Sequence, residues 1–170
     1  MTRSSGILLP VSALPGPCGI GDLGTAAREF IDFLAAAGQR YWQILPLNPP
    51  DSAHSPYLSA STFAGSTDLL SPEPFMARGA LTLDEVRSVD WGGDPMRVDY
   101  GRVHAGKTAL WAAAFAREQA AVTPALRTAL AAEPWLMDYC LYMGHQGGAG
   151  RRAVVCLAAA PARPGRCRTR

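Results

Sequence analysis

The side chains best suited to meet a ligand cluster between Arg40 and Ser66. There Arg40-Tyr41-Trp42-Gln43-Ile44-Leu45-Pro46-Leu47 runs into a long stretch carrying Ser55-Pro56-Tyr57 and Phe63-Ala64-Gly65. A serine hydroxyl both donates and accepts, and a tyrosine offers a flat apolar face with a polar edge. An α/β enzyme presents such groups on loops at the carboxyl ends of its strands. A second candidate is the run Gly16, Gly19, Gly21 and Gly24, which invites a phosphate-loop reading. It has neither GxGxxG register nor a Gly-Lys-Ser/Thr ending, so a turn with unusual backbone angles is the better reading. Cys18, Cys140, Cys156 and Cys167 lack CxxC or Cys/His ligand spacing and read as free thiols, with no metal site. The loop acids Asp22, Asp51, Asp68 and Asp99 show no paired spacing and read as surface groups.

These groups need elements to hold them. Gly6 to Val11 is an apolar run bounded by Gly and Pro, and Tyr41 to Leu47 is another. Both predict buried parallel strands, whose two covered faces erase alternation. Between them Leu23, Ala26, Ala27, Phe30, Leu34 and Ala37 recur at three- and four-residue spacing, predicting a helix over 22–37 that Gly38 ends. Strand, helix and strand in this order form a right-handed βαβ unit, with both carboxyl ends on one rim. The rim receives loops 12–21 and 48–66, the second too long for an ordinary connection and too aromatic for a disordered one.

Further on, Thr82 and Glu85 have capping-box spacing ahead of a short helix. Residues 103–120 and 123–143 read as two helices, the second started by Thr123-Pro124 and kinked or restarted near Pro134. The aromatics Trp111, Phe115, Trp135, Tyr139 and Tyr142 read as packing residues.

A composition of 48% hydrophobic and 18% charged residues is that of a globular chain. Residues 1–138 carry all 14 acids and 10 of the 16 bases, whereas 139–170 carry six arginines and no acid. No 18-residue apolar run or convincing signal peptide is present, so a cytoplasmic location is expected, with no membrane partner. A basic arm for nucleic acid would suit the last segment alone, and nothing else in the chain supports one.

The motifs Ser5 to Ser12, Leu14 to Pro17, Gly19 to Gly24, Gly38 to Leu47 and Ser55-Pro56-Tyr57 closely resemble the start of the amylomaltases, the 4-α-glucanotransferases also called disproportionating enzymes. Arg97-Val98-Asp99-Tyr100 and Trp135 to Met143 continue the resemblance. It implies an α/β fold, with residues 1–143 as the N-terminal part of a (β/α)8 TIM barrel: its first two strands and part of an insertion. It also implies transfer of an α-1,4-glucan segment to a sugar 4-hydroxyl without a cofactor. An Asp nucleophile would hold the glycosyl fragment and a Glu would serve as acid and base, with retention. The family's three catalytic carboxylates lie beyond residue 170, so no catalytic residue is assigned here. Ser55 and Tyr57 match positions that contact the glucan; the alternative is an ordered turn with Tyr57 merely packed. Ser52-Ala53-His54 and Ser66 depart from the family pattern, which has Gly-Asp before Ser-Pro-Tyr and Asn at the later position.

After Met143 the pattern collapses. Residues 147–170 hold six Arg, six Ala, four Gly and two Pro without a helical stripe. A permitted back-translation from Gly144, read one nucleotide out of register, resembles the family's own continuation. Residues 144–170 are therefore expected to be an out-of-frame, disordered basic tail. The alternatives to an intact transferase are an inactive truncated product and a small non-catalytic glucan-binding module.

Overall fold

The computed structural model describes residues 3–94 and 96–146, so the expectation for the tail falls largely outside the described residues. The chain divides into two compact units between Arg117 and Glu118. In the first, β1 (Gly6–Leu8), α1 (Thr25–Ala36) and β2 (Tyr41–Gln43) form the expected βαβ unit. The strands are parallel, with Gly6 opposite Tyr41, Ile7 opposite Trp42 and Leu8 opposite Gln43. One further ladder bond runs from Leu9 N–H to the Gln43 carbonyl at 3.0 Å, and another from Arg40 N–H to Ser5 at 2.9 Å.

Both strands are shorter than the apolar runs predict. Pro10 has no N–H to extend the ladder, and Val11–Ala13 turns into a 3-10 helix instead. Nor are the strands buried: every residue of β1 is exposed, and in β2 only Trp42 is partly covered. Trp42 packs edge-on against Phe30 of α1, ring centroids 5.1 Å apart, and its Nε1 donates to the Leu9 carbonyl at 2.8 Å. Tyr41 and Leu8, on the opposite face, are 64% and 56% exposed. One helix covers one face of a two-stranded sheet, and no described element covers the other.

α1 buries Ala27 and Leu34 as its stripe predicts, while Leu23 and Ala37 remain exposed. Its last turn closes with Gln39 N–H bonded to Leu34 O at 2.9 Å and Gly38 N–H to Ala35 O at 3.1 Å. That pair is a Schellman motif, and it requires Gly38 at φ +70°. At its other end the N-cap is Gly24, which has no side chain to offer. Glu73 of α2 (Glu73–Ala77) takes over, accepting from Thr25 N–H at 3.0 Å, Thr25 Oγ1 at 2.8 Å and Arg28 at 2.9 Å. Partial burial pushes the Glu73 carboxyl up, but these bonds outweigh it and hold the group below the ordinary carboxylate range.

α3 (Leu83–Ser88) begins with the expected capping box: Glu85 N–H bonds Thr82 Oγ1 at 3.2 Å, and Thr82 N–H bonds Glu85 Oε2 at 2.8 Å. Arg117 then reaches Glu85 with both terminal guanidinium nitrogens, Nη1 and Nη2. The segment from Tyr100 departs from expectation. It forms one helix, α4 (Tyr100–Ala132), with Pro124 inside it. Thr123 does not cap a new helix; its hydroxyl bonds the Gln119 carbonyl one turn back. The helix that starts on a proline is α5 (Pro134–Gln146), so the restart falls at Pro134. Within the first unit α4 buries Val103, Gly106, Lys107, Leu110 and Ala114, one face at helical spacing.

Two small cores result. One gathers Cys18, Leu81, Val86, Leu110 and Ala114, flanked by Phe75, Trp91 and Trp111. The other gathers Val11, Leu14 and Ala27 beside Phe30, Trp42 and Leu47. Trp111 thus packs as expected, as do Trp135 and Tyr139 with centroids 6.2 Å apart in the second unit. Among the described residues no helix is long and apolar enough to cross a membrane.

Candidate functional site

The carboxyl ends of β1 and β2 open onto a cavity of about 250 Å³. Pro10 and Ser12 bound it from the first strand's loop, and Leu45, Asn48 and Pro56 from the second. A wider cavity of about 460 Å³ is lined by Gly92, Asp94, Arg97, Asp99 and Arg102, the segment entering α4. His54 and Tyr100 line both cavities.

Loop 48–66 has no regular structure, and its own polar side chains order it. Asn48 Nδ2 donates to the carbonyls of Ser61 and Ala64, both at 3.1 Å, drawing the far limb back to β2. Ser66 N–H closes the base on Leu47 O at 2.7 Å. At the tip Asp51 Oδ1 accepts from Ala53 N–H at 3.0 Å and Ser55 N–H at 2.9 Å, an Asx turn that forces the chain around. His54, inside that turn, takes φ +62°.

This turn fixes Ser55 through its backbone, with Leu58 N–H also bonding its carbonyl at 3.3 Å. Ser55 is half-buried, and Tyr57 is 69% exposed, so a packed tyrosine does not account for Ser-Pro-Tyr. Pro56 between them lines the smaller cavity. Ser55 and Tyr57 flank Pro56 in the chain, and neither is among the residues lining the two cavities.

The loop acids are not all surface groups. Asp22 and Asp68 are 7% and 8% exposed. Asp22 Oδ1 accepts from Gly24 N–H at 3.0 Å, and its Oδ2 lies 3.3 Å from Nζ of Lys107. Lys107 is the only lysine in the chain and is fully buried, its ammonium also donating to the Leu70 carbonyl. Asp68 holds both oxygens near His104 Nδ1, at 3.1 and 3.3 Å. Asp51 and Asp99 are local organisers: Asp99 caps α4 by accepting from Arg102 N–H at 3.1 Å. All four are committed to structural hydrogen bonds.

Cys18, buried beside this pair, has its thiol pushed up by burial; Lys107 pulls it down, and Asp22 and Glu73 add to the rise. It is an inert core thiol. Cys18 and Cys140 are free, and burial raises Cys140 as well. Among the described residues no group of three or more His, Cys, Asp or Glu side chains could hold a metal ion.

The glycine-rich loop is a turn, as read. Gly19 has φ +69°, and a Cβ on Gly21 would stand 2.2 Å from the Val11 carbonyl oxygen. Local reading of the residues missed His54 and Lys107. Tyr100 entered only through the Arg97-Val98-Asp99-Tyr100 motif. Nothing local marked Lys107 as buried, because its partner Asp22 stands 85 positions away.

A parallel βαβ unit whose cavity sits at the carboxyl ends of its strands, edged by serine, tyrosine and asparagine, defines an α/β protein with a polar-edged cavity at that end. The family model described as 4-alpha-glucanotransferase matches residues 9–155, and the chain belongs to that family. It is 41% identical over 155 residues to the 4-alpha-glucanotransferase of Thermus thermophilus, covering 88% of this chain and 30% of that one. Against the Streptococcus pneumoniae enzyme of the same name the identity is 43% over 102 residues, covering 60% of this chain and 20% of the relative. An amylomaltase from Streptococcus agalactiae, solved in complex with acarbose, superposes with TM-score 0.80 at 34% identity, covering 88% of this chain and 31% of that one. The chain therefore spans less than a third of the length of these relatives.

Proposed function

We propose that this chain supplies the first two strands and part of the glucan-binding rim of a 4-α-glucanotransferase built on a (β/α)8 barrel. The substrate class is an α-1,4-glucan such as a maltodextrin. The reaction is transfer of a glucan segment to a sugar 4-hydroxyl by double displacement with retention. The observation that carries the reading is the cavity at the carboxyl ends of two parallel strands, in a chain of this family. In barrel enzymes that face holds the chemistry.

Ser55 and Tyr57 are the glucan contacts in this reading. An exposed tyrosine ring can lie against the apolar face of a pyranose, and a hydroxyl set by an Asx turn can bond its edge. Asp22, Asp51, Asp68 and Asp99 are each held by backbone or side-chain partners, and in this reading the nucleophile and the acid/base lie in sequence other than these loops.

The test incubates maltotriose with this chain and with the product of the gene read one nucleotide out of register beyond Met143. Glucose and longer maltodextrins are expected from the second alone. Disproportionation by the 170-residue chain would overturn the assignment of the essential carboxylates to other sequence. Binding of maltotriose without turnover by both products would favour a non-catalytic glucan-binding module.

A further inference from the structure

His54 is the one non-glycine residue with positive φ among the described residues, at +62°. Such a backbone is strained for an L side chain, and strain of this kind collects at ligand clamps and switch points. The strain delivers the imidazole onto the ring of Tyr100, with centroids 4.3 Å apart and planes inclined by 12°. The two stacked rings line both the 250 Å³ cavity at the strand ends and the 460 Å³ cavity at the start of α4. They form a wall common to the two.

The halves of that wall are held unequally. Tyr100 is the first residue of α4, whose N-terminus is capped by Asp99 and bonded from Val103 N–H to Asp99 O at 2.9 Å. His54 sits at the tip of an irregular loop, tied by its own N–H to Asp51 O at 3.0 Å. The imidazole is also a flat ring occupying one face of a phenol, the kind of surface against which a pyranose packs.

We infer that His54 is a partition residue that sets how long a saccharide this site accepts. Its ring, parked on Tyr100, separates the two cavities and shortens the continuous groove. Displacing it joins them, and exposes a tyrosine face to the next sugar unit. The inference rests on the glucan reading, and it assigns His54 a specificity role through Tyr100 rather than any part in bond breaking.

The test uses the full chain with maltotriose and maltoheptaose, and the variants His54→Gly and His54→Asn. Glycine adopts positive φ freely and asparagine readily, so both keep the turn while removing the stacked ring. Expected are maltoheptaose affinities raised by a few-fold up to about tenfold in both variants, as for loss of one competing ring stack, with maltotriose changed less than twofold. In the parent chain the nuclear Overhauser contact between the His54 and Tyr100 rings should disappear on addition of maltoheptaose. If both sugars bind, the ring contact persists and the variants change neither affinity selectively, His54 is only a turn residue and the inference fails while the glucan reading stands. If neither sugar binds parent or variants, the inference fails for this chain, and the glucan reading stands or falls on the maltotriose assay of the shifted-frame product.

Discussion

Lys107 shows what a single side chain does in this chain. Its side chain is fully buried, and its ammonium ends on Asp22 and on the Leu70 carbonyl, tying α4 to the β1–α1 loop and to the segment that follows the long loop after β2. A buried carboxylate that loses its partner keeps its desolvation cost. Lys107→Ala should therefore lower unfolding free energy by about 3–5 kcal/mol, read as a shifted urea midpoint. Lys107→Met with Asp22→Asn should cost much less, because both charges leave together. A cost for the double variant as large as for the single one would count against the ion pair. As this is the only lysine, an amine-reactive label should modify the folded chain at its α-amino group and reach Lys107 only on unfolding.

Between elements, the clearest fastening is that of α3 to α4. Hydrogen bonding from Arg117 is the main cause that pulls the Glu85 carboxyl down to about 2, aided by the Thr82 backbone and hydroxyl against a small opposing effect of burial. A group whose folded pKa lies below its unfolded value contributes stability above the unfolded value. That contribution is present above the ordinary 4.5 and lost as pH falls towards 2. The gap in denaturation midpoint between the parent chain and Glu85→Gln should thus be widest at neutral pH and close over that window. A gap independent of pH would sink the assignment. The capping box that prepares Glu85 was legible in the sequence because it spans three residues. Its pairing with Arg117 across 32 positions was not. The same limit explains α4: Thr123-Pro124 has the local form of a helix start, yet Pro134 is where a helix starts. Propensity rules rank local options, and the helix already running through position 123 outweighed this one.

For the whole molecule the telling feature is uncovered apolar surface on the first unit. Ile7, Leu8, Tyr41 and Ile44 of the sheet region, with Ile31 and Phe33 of α1, are between 38% and 64% exposed. A two-stranded parallel sheet is rarely stable alone, and parallel strands are ordinarily covered on both faces. The chain spans 30% of the length of its Thermus thermophilus relative, and these apolar side chains lie open. This chain should bind an apolar fluorescent dye at neutral pH and associate as its concentration rises. A monomer that stays dark with the dye and melts in one sharp transition would show the face to be adequately covered.

What the amino-acid order determined by itself was local, together with family membership. The α1 stripe ending at Gly38, the Thr82 capping box, the βαβ order and the long aromatic loop all rest on groups within a few residues of each other. The amylomaltase motifs are likewise contiguous strings. Tertiary structure alone decided that Asp22 and Asp68 are buried, that Lys107 pairs across 85 positions, that both strands lie exposed, and that His54 meets Tyr100. The physical reason is the reach of the forces involved. Caps, turns and periodicity are set by neighbours along the chain, whereas burial and ring stacking depend on which distant segments come to share one space.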